Sequence, residues 1–234
     1  MTTRGPKQIL FEQFAAIAKT LGHAHRLELI EQLAQGERSV EVLAARIGLS
    51  VANASQHLQH LRRAGLVTTR REGKFVHYRL SDEAVLDLLS AVRRIAERNV
   101  AEVGRVVRSY FEQRDALEPV SRAELTRRLR NGSVTVLDVR PEDEYALGHV
   151  PGAINVPLHA LKNHLAKFSR SKEIIAYCRG PYCVLSFEAV ALLREKGFKV
   201  RRLEDGMPEW RAAGLPVATS NARQPMQTNL GGRS

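Results

Sequence analysis

Apolar residues recur at helical spacing through most of the first half of the chain, over 8–20 and 24–35, stopping near Gly36. A short helical run follows at 40–47 and is ended by Gly48; Ser50 then caps a second one reaching about Ala64, where Gly65 terminates it. Two helices joined by the tight Gly48-Leu49-Ser50 turn form a helix-turn-helix pattern. Two β-rich runs, 66–71 and 74–80, flank Glu72-Gly73 and predict a hairpin. Helical periodicity returns at 81–83 and extends to about Arg114, with a weak point at Gly104. Such a long amphipathic helix suits either a dimer seam or a cover for the core.

From residue 116 the pattern changes. Strand-like runs at 133–139, 154–156, 173–177 and 199–203 alternate with helical ones at 121–130, 158–168, 184–196 and 206–213. That alternation predicts a parallel α/β sheet covered on both faces. The expected organisation is therefore two domains: a mostly α winged helix-turn-helix unit over 1–115 and an α/β unit over 116–218. The boundary falls near 115–119, and a polar tail at 219–234 is expected to be disordered. A chain of 234 residues suffices for two such cores.

Composition narrows the function. The formal net charge of +11 favours a polyanionic partner such as nucleic acid. Residues 1–115 carry 18 basic against 13 acidic side chains and the remainder 18 against 12, so bulk charge does not say which half meets the polyanion. Patterning does. On the 50–64 helix, Ala54, Leu58 and Leu61 face inward, leaving Asn53, Ser55, Gln56, Gln59, His60 and Arg62 or Arg63 outward. Amide and short polar side chains suit base edges in the major groove, and Arg70, Arg71 and Lys74 on the hairpin suit phosphates. No apolar run approaches the ~20 residues of a membrane span. With two cysteines and no secretory leader the chain is expected to be cytoplasmic.

Both cysteines lie in one loop, Cys178-Arg179-Gly180-Pro181-Tyr182-Cys183, between a strand and a helix. Loop amides and a helix N-terminus favour a thiolate at Cys178, and Arg179 adds a cation. Two inert core thiols or a disulfide are the alternatives; Gly-Pro-Tyr between the cysteines favours loop chemistry.

Several motifs in order carry a resemblance. The run from Leu21-Gly22-His23 to Ile30, then Leu49-Ser50 through His57-Leu58, Leu61-Arg62-Arg63-Ala64-Gly65-Leu66-Val67, Arg71-Glu72-Gly73-Lys74 and Tyr78-Arg79-Leu80 resemble ArsR-type winged-helix repressors. The resemblance implies a homodimer on a double-stranded DNA operator, released by a metal or chemical signal. The segment resembling that family's thiolate metal box, 39–43, has no cysteine, and 82–114 has no histidine, so no metal site is expected. In the second half, Val136-Leu137-Asp138-Val139-Arg140, Glu142-Asp143-Glu144-Tyr145, Gly148-His149-Val150-Pro151-Gly152 and Leu203-Glu204-Asp205-Gly206-Met207 resemble rhodanese domains. That implies sulfur transfer without a cofactor: Cys178 takes sulfane sulfur, and amides from Arg179 through Gly180, Pro181, Tyr182 and Cys183 to Val184 cradle the charge. Cys183 is either a resolving thiol or packing. Asp138 and His149 are expected to tie the strand end to its neighbouring loop. The expected partners are operator DNA, a small sulfur donor or oxyanion, and a second copy. The function expected is a regulator whose Cys178 accepts sulfane sulfur or senses a thiol-reactive or oxyanion signal. A working sulfurtransferase and an arsenate-responsive or arsenate-reducing regulator are the alternatives.

Overall fold

The computed structural model describes residues 5–112 and 118–220. The N-terminal part contains α1 (Pro6–Leu21), α2 (Ala24–Ala34), β1 (Arg38–Ser39), α3 (Val40–Arg46), α4 (Val51–Arg63), β2 (Val67–Glu72), β3 (Phe75–Leu80) and α5 (Ala84–Asn99). At the helix-turn-helix corner Gly48 has φ +68°, a left-handed value that favours glycine, and Ser50 Oγ accepts from Asn53 N at 3.3 Å. β2 and β3 form the antiparallel wing, and β1 adds to it in the order β1-β3-β2. β1 has two residues, too few for the period-2 signal that would predict it. Leu29, Ile30, Leu43, Leu58 and Leu61 are fully buried in the core of this part. Each contributes about 1.5–3 kcal/mol by leaving water.

The helix that closes this part breaks earlier than expected. Val100 is extended at φ −108°, ψ 105°, whereas Gly104 lies inside α6 (Ala101–Val106). The amide side chain of Asn99 donates to Ile95 O at 2.9 Å, competing with the backbone for that carbonyl, and β-branched Val100 follows. A π-helical turn, Val107–Glu112, completes the segment. The boundary expected at 115–119 falls largely outside the described residues.

The C-terminal part contains α7 (Arg122–Arg130), β4 (Val134–Asp138), α8 (Glu142–Leu147), β5 (Ile154–Asn155), β6 (Glu173–Tyr177), α9 (Val184–Glu195), β7 (Val200–Arg202) and α10 (Met207–Ala212). The sheet is parallel throughout, in the order β5-β4-β6-β7, with Val120 bridging Leu203 at its edge. Alternation along β6 serves both faces. Ile174 and Ala176 pack toward α9, while Ile175 and Tyr177 pack with Leu125, Met207 and Trp210. Residues Leu158–Lys167 form a 3₁₀ helix rather than the α-helix expected there. After Pro157 its bonds close at three residues, as in Ala160 N to Pro157 O, which stacks Leu158 and Leu161 on one side against the sheet. Of the tail expected over 219–234, Ser220 N donates to Ala146 O at 3.2 Å, and residues 221–234 lie outside the described residues.

Candidate functional site at the cysteine loop

β6 delivers Cys178 to the carboxyl end of the sheet, where open α/β folds place their sites. Cys183 is the N-cap of α9. Both side chains are buried, at 1% and 8% exposure, and pack in one core cluster with Val139, Val156 and Val190. They are joined by a disulfide with a Cα separation of 6.2 Å. The structure thus holds the disulfide alternative, with both sulfurs buried, and not a free Cys178 thiolate. Not every residue from 179 to 184 can cradle a charge. Pro181 has no N–H, and the amide of Cys183 donates to Gly180 O at 3.1 Å. Gly206 abuts the loop from the other side, where an added Cβ would collide with the backbone of Arg179 and Gly180. Met207 N donates to Cys178 O at 3.0 Å, anchoring α10 to the same stretch.

Arg179 differs from its expected role. Its guanidinium is turned onto Glu144, with Nε at 3.1 and 3.0 Å from the two carboxylate oxygens and Nη2 at 2.7 Å from Oε1. A fully buried carboxylate binds it more strongly than a sulfur would, because a bidentate fork matches that geometry. Glu144 also accepts from Arg46 Nη1, which belongs to α3 of the helix-turn-helix. Burial pushes the Glu144 carboxyl up, but Arg179 and Arg46 outweigh it and hold the group below its ordinary 4.5. Beside it, Asp143 receives Arg46 at 2.6 Å and Arg38 at 2.7 Å. Burial and the neighbouring Arg46 lower the pKa of Arg38. Three guanidiniums therefore share two carboxylates, and every pairing but Arg179–Glu144 spans the two halves of the chain.

A second link runs through Gln35, the fully buried residue that ends α2. Its Nε2 donates to the backbone oxygen of Arg179 at 3.3 Å, and its Oε1 accepts from Arg140 Nη1 at 3.1 Å. Arg140 is itself held by Asp138 at 2.7 Å and by Gly148 O at 2.7 Å. On α5, Arg93 lies 3.3 Å from Glu31 and 3.6 Å from Glu209, and Glu97 accepts from the Tyr182 hydroxyl. Burial raises the pKa of both Glu209 and Tyr182. Asp138 braces Arg140 after β4, while His149 Nδ1 meets Tyr145 O at 2.9 Å and its ring stacks on Tyr145.

Sequence reasoning missed Gln35, Arg38, Arg46, Arg93 and Glu144 as parts of the site. Their partners stand many residues away, and only the buried polar identity of Gln35 at the end of an apolar helix hints at it.

On α4, Asn53, Gln56, Gln59 and His60 are exposed and Ser55 is half-buried, with Ser55 Oγ accepting from Gln59 at 3.5 Å. His57 instead turns toward the α1–α2 corner, its ring centroid 4.4 Å from that of His23, and burial lowers its pKa. Arg71 and Lys74 are exposed on the wing. Arg70 is exposed on the wing as well and pairs there with Glu37 at 2.7 Å and Glu72 at 2.9 Å. Among the described residues no group of three or more His, Cys, Asp and Glu side chains is arranged to hold a metal ion. No helix among them is long and apolar enough to cross a membrane.

A winged helix-turn-helix followed by a parallel α/β domain with a cysteine loop defines a transcription regulator carrying a sulfurtransferase-like module. Residues 21–70 match a helix-turn-helix domain and residues 121–213 a rhodanese-like domain. The chain is 44% identical over 211 residues to the HTH-type transcriptional regulator Rv0324 of Mycobacterium tuberculosis, covering 90% of this chain and 92% of that protein. It is 29% identical over 85 residues to a protein named sulfurtransferase from Allochromatium vinosum, covering 36% of this chain and 78% of that one. The homodimeric winged helix-turn-helix DNA-binding domain of Mb0332 from Mycobacterium bovis, a possible ArsR-family regulator, is 38% identical. It covers 43% of this chain and 94% of its own, with a TM-score of 0.39. The chain belongs to the ArsR-type helix-turn-helix transcriptional regulators and carries a C-terminal rhodanese domain.

Proposed function

We propose that this regulator uses Cys178 to accept sulfane sulfur and that the state of the cysteine loop sets its affinity for DNA. The observation that carries the reading is the seam itself: Gln35 of the DNA-binding half bonds the loop backbone at Arg179, and Arg46 shares Glu144 with the Arg179 side chain. A change in the loop backbone therefore perturbs the end of α2 and α3, the elements that position α4.

The chemistry starts from the reduced loop. The Cys178 thiolate attacks the outer sulfur of thiosulfate, the S–S bond of the donor breaks, and sulfite leaves with its electron pair. Cys178 then carries a persulfide. The Cys183 thiolate attacks the inner sulfur of that persulfide, forms the Cys178–Cys183 disulfide and expels hydrosulfide. The 6.2 Å Cα separation lies within the range that disulfides span. The same disulfide resolves an oxidised Cys178. DNA is read by Asn53, Ser55, Gln56, Gln59 and His60 on α4, with Arg71 and Lys74 on phosphates, from a two-fold dimer. Exposed Phe11 and Phe14 of α1 and Leu88, Val92 and Ile95 of α5 supply an apolar face for that dimer.

A sulfurtransferase that turns over is the second reading, favoured by the resemblance to the Allochromatium protein. Burial of both sulfurs argues for signalling instead. A gel-shift titration with and without inorganic polysulfide tests the proposal. Polysulfide should change operator affinity in the unmodified protein and leave Cys178→Ser unaffected. Equal response in both proteins refutes it, and thiosulfate consumed in large excess over protein supports turnover.

A further inference from the structure

Beside the cysteine loop the two halves of the chain border an open cavity of about 650 Å³. One wall is α5, with Arg94 and Arg98 one turn apart. The floor holds the rings of Phe111, Tyr182 and Phe187, and Glu204 stands on the facing loop. The volume is ordinary for a site that takes an organic ligand, and a bare oxyanion would leave most of it empty.

The charges are specific. Arg93 is engaged by Glu31 and Glu209, Asp205 by Arg122 at 2.7 Å, and Glu97 by Tyr182. Arg94, Arg98 and Glu204 have no ionic or hydrogen-bond partner for their side chains among the described residues. The wall thus offers two unmatched guanidiniums and one unmatched carboxylate around an aromatic floor. Phe111 lies 5.4 Å from Tyr182 and 4.8 Å from Phe187, ring to ring, so the floor is continuous from one half of the chain to the other.

We infer that this cavity binds a small peptide-like zwitterion with two carboxylates and one ammonium group, the class to which low-molecular-weight peptide thiols belong. The carboxylates pair with Arg94 and Arg98, the ammonium pairs with Glu204, and the thiol arm lies over the Phe111 and Tyr182 rings, since the Arg202 guanidinium already sits 4.3 Å over Phe187. As a site for the carrier of sulfane sulfur, the inference rests on the proposed function. As a binding site it stands separately. It exists only where the DNA-binding half and the rhodanese half meet, so its ligand touches both.

The test uses the full chain and S-methyl γ-glutamylcysteinylglycine, a thioether that cannot donate sulfur. Calorimetric titration should show one saturable site per chain, retained in Cys178→Ser. Arg94→Ala combined with Arg98→Ala should weaken binding about tenfold or more, and Glu204→Gln by a smaller factor. These residues are exposed, so the variants should keep the circular dichroism of the unmodified protein. Thiosulfate should not compete at concentrations matched to the tripeptide. Absence of saturable binding, or equal binding by the double arginine variant, overturns the inference. Sulfur loading of Cys178 by inorganic polysulfide is measured in parallel. Its failure refutes the proposed function and leaves the binding result to stand on its own.

Discussion

Replacing Glu144 with alanine removes the carboxylate that both halves of the chain share. Glu144 is fully buried, and its two partners, Arg46 and Arg179, have side chains only 19% and 21% exposed. Breaking a buried ion pair by deleting one member costs about 3–5 kcal/mol, because the remaining charge is left uncompensated. Partial solvent access to both guanidiniums pulls the expected cost to the low end, about 3 kcal/mol. Arg46→Ala should cost less, about 1–2 kcal/mol, because Glu144 keeps Arg179 and Asp143 is half exposed. The pair should not be additive, with an interaction energy of about 1–2 kcal/mol in a double-mutant cycle. Trp210 is the sole tryptophan, is buried in the rhodanese half and donates to Pro216 O, so its emission follows that half during urea unfolding. Arg46 lies in the other half. A drop in the Trp210 midpoint on Arg46→Ala therefore reports the seam directly. If Arg46→Ala leaves that midpoint unchanged and Glu144→Ala costs under about 1 kcal/mol, the shared carboxylate does not join the halves in solution.

The remaining predictions concern DNA, pH and sulfur. Gln56→Ala with Gln59→Ala should erase operator selection in a gel shift, while Arg71→Ala and Lys74→Ala weaken all sequences and each lower the salt slope by about 1; equal loss of specific and non-specific binding in the glutamine variant would contradict the base-reading role. Arg70→Ala should change the slope much less, because Glu37 and Glu72 already match its charge. The Glu144 carboxyl titrates below its ordinary 4.5 in the fold, so its contribution to stability is complete above that pH and is lost as pH falls through the lower folded value; Trp210 unfolding in Glu144→Gln should lose this acid-limb dependence. After a polysulfide challenge, peptide mapping should find persulfide on Cys178 in Cys183→Ser, some Cys178–Cys183 disulfide in the unmodified chain, and neither in Cys178→Ser. Persulfide on Cys183 in Cys178→Ser at the same rate would reverse the roles.

Much of this architecture is legible in the sequence because its signals are local. The Gly48 turn, the Ser50 cap, the inward Ala54, Leu58 and Leu61, and the strand that ends at Cys178 each depend on a few neighbouring residues. Four features were missed or misplaced, three of them because they are not local. The helix break at Val100 depends on a side-chain bond from Asn99, whereas glycine alone suggested Gly104. The role of Arg179 depends on Glu144, 35 positions away, and that of Arg70 on Glu37, 33 positions away. The seam pairs residues about a hundred positions apart, as Arg46 with Glu144, and no periodicity carries that information.

Gly206 gives the cysteine loop a one-sided mechanical surrounding. Its backbone rests against Arg179 and Gly180 with no room for even a methyl group, so α10 acts as a hard stop behind the loop. The loop also meets side chains of the DNA-binding half: the amide of Gln35, the guanidinium of Arg93 and the carboxylate of Glu97. These can yield by rotamer change, and packed backbone cannot. Were the loop to bulge around an added sulfur atom, α10 would resist it more than the side chains of α2 and α5, or the cavity beside Tyr182, would. On the proposed reading, the asymmetry of what confines the loop gives its chemistry a direction without a separate hinge.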